Sequence, residues 1–131
     1  LGVSVYKTTA ASDVDQLNTG SLYIAQKIRQ CENKDLVRCA TLDGETPALV
    51  IGDRVGGKDV ETWIFVSDGV LRELTVTSGT EIDSEFGQEI MDMAAANFNL
   101  VTDEMLQATL TSRGGESATI NLSLIGGVKS E

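Results

Sequence analysis

Residues 59–74, DVETWIFVSDGVLREL, alternate large and polar side chains, break at Asp68-Gly69 and alternate again. Two period-two arms around an Asp-Gly pair mark a β-hairpin closed by a two-residue type I′ turn, whose central positions both need positive φ. A turn at Asp68-Gly69 sets the register, with Trp63 opposite Leu74, Ile64 opposite Glu73 and Phe65 opposite Arg72. One face then carries Trp63, Phe65, Leu74 and Val76, with Arg72 near its end. The other carries Val60, Ile64, Val66 and Leu71 with Thr62 and Thr75. Both faces are apolar enough to be buried. The hairpin is therefore expected at the centre of a sheet, under a helix on one side and partly covered on the other.

Working outward, period two continues in both directions. Residues 36–41 and 48–52 read as strands joined by a turn at Asp43-Gly44 and Pro47, and the DRVGGKD stretch that follows reads as a polar loop. Residues 88–93 suit a short strand or a helical turn, and AAANFNLV (94–101) a strand. In MLQATLTS (105–112), Leu106, Ala108 and Leu110 face one way and Gln107, Thr109 and Thr111 the other. SATINLSL (117–124) repeats the pattern with Ala118, Ile120, Leu122 and Leu124, and RGGE (113–116) turns between the two. Such half-apolar alternation marks antiparallel sheet with one covered face.

The first thirty residues have a different period. Val3, Tyr6, Ala10, Val14, Leu17, Ser21, Ile24 and Ile28 recur in steps of three and four and form one helical stripe. Asp15, Lys27 and Arg29 are placed on its far side, Ser12 or Asp13 offers an N-cap, and Gly20 marks a bend or a close contact. A helix followed by strands, without βαβ alternation, indicates an α+β fold. The expectation is a single domain over 1–131: a long N-terminal amphipathic helix (about 3–31) packed on a meandering antiparallel sheet (about 36–126).

Composition narrows the function classes. The 131 residues carry 20 acidic and 10 basic groups and no histidine, for a net charge of −10. Phosphate binding needs a basic patch, so nucleic acid is not an expected partner. Without histidine the commonest general base and zinc ligand are missing, which points away from an enzyme and from a metal or other cofactor. Cys31 and Cys39 are not spaced as a zinc ligand pair. They are either two thiols or a disulfide, which would close a short loop and stabilise by about 2–3 kcal/mol.

Other candidates fail on context. GDRVGGKD lacks the G-K-[ST] ending of a phosphate loop, and a strand follows it rather than a helix. Glu81, Asp83 and Glu85 lack EF-hand spacing and suit at most weak calcium binding. Carboxylates alone leave a hydrolase as a distant third class. The hairpin itself offers a partner-contact patch of Trp63 and Phe65, with Arg72 adding a cation–π contact of about 0.5–1 kcal/mol to Phe65.

Four segments carry a resemblance: SLYIAQKIRQ (21–30), ALVIGD (48–53), ETWIFVSDGVLREL (61–74) and GQEIM (87–91). Together they resemble a clostridial-type family catalogued as a domain of unknown function. A long helix leading into an antiparallel sheet also resembles the soluble domains of type IV pilins and type II secretion pseudopilins. The resemblance implies a pilin-like fold and a non-enzymatic subunit of a surface filament or secretion system, acting through assembly with other pilin-like subunits or secretion components. It also implies an extracellular or cell-surface location, with membrane anchoring through a hydrophobic segment preceding Leu1 in the full-length form. The cysteine pair departs from that family's pattern. The alternative is a cell-surface binding module whose ligand or partner sits on the sheet face around Trp63 and Phe65. The isolated domain is expected to be monomeric.

Overall fold

A computed structural model describes residues 2–31, 36–82 and 86–124, with helical side chains described from Val14 onward. Helix α1 (Gly2–Gln30) precedes eight strands: β1 (Val37–Leu42), β2 (Thr46–Val55), β3 (Lys58–Ser67), β4 (Val70–Thr77), β5 (Gln88–Asp92), β6 (Ala95–Thr102), β7 (Met105–Thr111) and β8 (Ser117–Ser123). They form two antiparallel sheets, β1-β2-β3-β4-β5 and β6-β7-β8.

Turn chemistry explains the first sheet. Asp43 and Gly44, Gly56 and Gly57, and Asp68 and Gly69 supply consecutive positive φ angles of 53° and 75°, 61° and 83°, and 53° and 75°. Paired positive φ gives the turn a twist matching that of the flanking strands, so the chain folds back three times with short connections. The β3–β4 register is the expected one, with Trp63 opposite Leu74 and Phe65 opposite Arg72. Two boundaries differ. The polar DRVGGKD stretch is not a loop: β2 runs to Val55 and β3 starts at Lys58, with only Gly56-Gly57 between them. Pro47 lies within β2 opposite Thr41 rather than in the turn. Pairing with β3 begins one residue later at Ala48, so the missing N–H interrupts no bond to β3.

A pilin-like arrangement, with one long helix laid on one meandering sheet, is not what forms. Strand residues outnumber helical ones, and the meander splits at Met93 into two sheets. Width is the reason. A five-stranded sheet spans about 19–20 Å, whereas a helix with its side chains is about 10 Å across and covers roughly half of it. Strand β6 crosses β1, β2 and β3 instead, while α1 packs against β5, β7 and β8. The fold is β-dominated, and α+β only loosely.

The main core lies between these layers. Leu17, Ile24 and Ile28 of α1 meet Leu49, Ile64 and Leu71 of the first sheet and Phe98, Leu106 and Leu110 of the second. Gly20 is a close contact: a Cβ there would lie 2.8 Å from Met93 Cε and 3.0 Å from Leu110 Cδ1. Val14, placed on the stripe by periodicity, is instead 52% exposed. Lys27 is not on the far side of the helix. Its Nζ pairs with Glu73 at 2.9 Å and lies over the Tyr23 ring, whose hydroxyl also donates to Glu73. Val3, Tyr6, Ala10, Ser12 and Asp13 lie outside the described side chains.

Candidate functional site

The face of the first sheet turned away from the core is built in rows, because antiparallel register places alternate residues of four strands side by side. Ala40, Ala48, Phe65 and Arg72 form one row. Arg38, Val50, Trp63 and Leu74 form the next, and Gly52, Glu61 and Val76 a third. The first row is sealed: Phe65 and Ala48 are fully buried with Leu42 in a second small core, against which Trp63, Leu74 and Ile82 pack.

Toward the third row the face opens. A groove of about 280 Å³ lies there, with Val50 and Gly52 in its lining, Leu36 beside them, and Arg38, Asp59 and Glu61 among its polar groups. Gly52 keeps the floor low, since a Cβ would come within 3.1 Å of the Leu36 Cβ. Leu36 is 43% exposed.

One polar clamp joins the groove to the half-buried indole. Glu61 accepts from Arg38 Nη2 through Oε2 at 2.9 Å and from the Trp63 Nε1–H through Oε1 at 3.1 Å. The same guanidinium stands 5.6 Å from the centroid of the Trp63 ring, within cation–π range. Trp63, Arg38 and Glu61 thus hold one another's orientation, leaving an aromatic and a cation beside a groove of mixed lining, with Val50 and Gly52 among its apolar residues and carboxylates among its polar ones. Asp59 is paired with Arg54 at 3.8 Å, and both are largely exposed.

The residues expected from sequence are therefore only partly brought together. Trp63 is at the site. Phe65 is beneath it, beyond reach of a partner. Arg72 stands opposite Phe65 in register, but its guanidinium turns to the Ser67 carbonyl and to Glu89, and its side chain is 12% exposed. The cation on the aromatic face is Arg38. Arg38 stands against Val50 because Glu45 adds a third residue to the Asp43-Gly44 turn; a two-residue turn there would have set it against Leu49, so no local signal pointed to it.

Cys31 and Cys39 are both thiols, with no bond between them. Cys31 is buried in the main core and Cys39 packs against it. Burial pushes the Cys39 thiol pKa up, against a smaller lowering by a hydrogen bond with the Leu100 backbone. GDRVGGKD belongs to the β2–β3 hairpin, with Gly56-Gly57 at its turn. Asp83 and Glu85 lie outside the described residues, among which no three metal-ligating side chains cluster. No described helix is long and apolar enough to cross a membrane.

A family model described as domain of unknown function (DUF4860) matches residues 15–113, from α1 to the turn after β7. No curated protein and no solved structure matches the chain significantly.

Proposed function

We propose that this chain, which belongs to the DUF4860 family, acts as a non-enzymatic contact module. Its contact surface is the outer face of β1, β2 and β3 around Trp63. The observation that carries this reading is the clamp of Arg38, Glu61 and Trp63 beside an open groove floored by Val50 and Gly52. An amphipathic aromatic held by side-chain bonds beside an open depression offers large contact area with little conformational entropy to lose. The same clamp occupies both oxygens of Glu61, and Asp59 is paired at the surface, which favours contact over carboxylate chemistry.

A second reading, suggested by the four-segment resemblance, makes the partner a neighbouring subunit of a surface filament or secretion system. It is supported by the 29-residue helix that leads into the domain. In that case the Trp63 face would meet a neighbouring subunit rather than a separate ligand.

Both readings are tested by placing a photo-crosslinking amino acid at Leu36 of the native protein in its own cells. A defined adduct that disappears in Trp63→Ala and in Arg38→Glu supports the contact face, and its mass identifies the partner as a ligand or as a filament component. Labelling no stronger than from a crosslinker at Val101, on the other sheet, removes the proposal.

A further inference from the structure

The second sheet shows a pattern unrelated to the contact face. The chain carries a net charge of −10, yet the strands AANFNLVT, MLQATLT and SATINLS contain no charged residue. Away from the core their side chains form a neutral ladder. Thr109 bonds Thr119 at 3.1 Å, Thr111 bonds Ser117 at 3.0 Å, and Gln107 Nε2 donates to Asn121 Oδ1 at 3.3 Å.

Strand β8 is the edge of this sheet, hydrogen-bonded to β7 alone among the described strands. Edge strands are normally blunted by charge, proline or a bulge, because their open N–H and C=O groups template pairing with another chain. None of these is present in β8. Its register with β7 runs unbroken from Ser117 to Ser123, whereas β6 shifts register against β7, and β5 against β4. Burial is unfinished there as well. On β7, Leu106, Ala108 and Leu110 are fully buried. Ala118, Ile120 and Leu122 on β8 face the same core but are only partly buried.

We propose that β8 is a self-pairing edge, to which a second copy of this chain adds its own β8 antiparallel about a twofold axis at Ile120. Two molecules of charge −10 repel one another over most orientations. An approach along the uncharged sheet brings backbone donors and acceptors together without opposing carboxylates. The axis at Ile120 sets Thr119 against Asn121 of the second copy and Ser117 against its Ser123. The hydroxyl and amide ladder then continues across the axis, and Ile120 meets its counterpart. The two three-stranded sheets become one. A single strand pair buries less than the roughly 800 Å² per partner of a standard interface, so the dimer is weak and concentration-dependent. Salt strengthens it by screening the repulsion between the two acidic bodies.

Sedimentation velocity across a wide concentration range, at low and high salt, tests this. The wild-type chain should pass from monomer to dimer as concentration rises, at lower concentration in high salt. The double variant Thr119→Lys/Asn121→Lys opposes like charges in both cross-axis pairs and should weaken association about tenfold or more, as should Thr119→Glu/Asn121→Glu. Mixing the two variants should restore a dimer containing one of each. These positions are exposed, and urea unfolding of each variant verifies that it folds. If a variant does not fold, wild-type hydrogen exchange gives the answer: β8 amides protected more strongly at high concentration support the edge, and unchanged β8 protection rejects it. A wild-type chain that stays monomeric, a dimer that persists in both variants, or failure of the mixture to associate overturns the proposal.

Discussion

Gly69→Ala probes the structure at the turn of the opening hairpin. Gly69 has φ +75°, and a Cβ there would sit 2.8 Å from Arg113 Nη2. That guanidinium, reaching over from the β7–β8 turn, donates to the Gly69 carbonyl from Nε at 3.3 Å and Nη2 at 3.1 Å. The same carbonyl accepts the Met93 N–H at 3.0 Å, where the first sheet passes into the second. The left-handed conformation costs an alanine about 1 kcal/mol. Displacing the half-exposed arginine forfeits about a further 1 kcal/mol of hydrogen bonding, a figure discounted for solvent. The Asp92 contact at 3.8 Å between exposed groups adds little. Urea unfolding should therefore show a loss of about 2 kcal/mol, roughly a 1 M fall in midpoint at an unchanged slope. Arg113→Ala alone should cost about 1 kcal/mol. In the double variant the arginine's contribution is already gone, so the two losses should fall short of additivity by about 1 kcal/mol. Additivity within about 0.3 kcal/mol, or a Gly69→Ala loss under about 0.5 kcal/mol, would refute the clasp.

Four further outcomes follow from the packing. Gly20→Ala gains about 1 kcal/mol of helix propensity but must push aside the mobile end of Met93, so its stability should stay within about 1 kcal/mol of wild type. Gly20→Val should lose about 1–3 kcal/mol by overpacking against Leu110, and equal urea midpoints for the two variants would show that the contact is not close. The Tyr23 hydroxyl has its pKa raised by burial, then by its hydrogen bond to Glu73 and that carboxylate's charge. The folded state therefore keeps this proton where the unfolded chain, with an ordinary tyrosine pKa near 10, releases it. Stability linked to Tyr23 is complete below about pH 10 and falls above it by up to about 1.4 kcal/mol per pH unit, a decline that Tyr23→Phe should lack in alkaline unfolding. Phe65→Ala should lose about 3–5 kcal/mol as a core truncation, whereas Trp63→Ala, at a half-buried position, should lose less while abolishing partner capture. Reagent titration of native protein should find both thiols slow, and denaturation without reductant should expose two; fewer than two would mean that Cys31 and Cys39 can pair.

Legibility differed along the chain for physical reasons. The β3–β4 hairpin could be read to the residue because Asp68-Gly69 fixes a two-residue turn, and the turn fixes every pair that follows it. Gly56-Gly57 carries the same information, yet the charged residues of DRVGGKD suggested a loop. Exposed strand ends tolerate charge, so polarity there did not mean irregular backbone. At the candidate site Trp63 was visible as the only tryptophan. Arg38 and Glu61 were not, because their roles arise from lateral rows across β1, β2 and β3 that exist only once three strands are in register. Phe65 looked equivalent to Trp63 by alternation. It is sealed because Leu42, Ala48 and Ile82 come from other segments to cover it.

By itself, then, the sequence determined the local structure: a helix with Leu17, Ile24 and Ile28 inward, and strands whose period and turns set their partners and faces. These properties depend on neighbours a few residues apart and on short turns, and such interactions are encoded locally. Tertiary structure alone decided that the meander breaks at Met93, that β6 rather than the helix covers β1, β2 and β3, and that β8 is left as an uncharged edge. The alternation in β6, β7 and β8 says that one face must be buried but not against what. That choice rests on area: one helix is too narrow for five strands, and the second sheet supplies the rest.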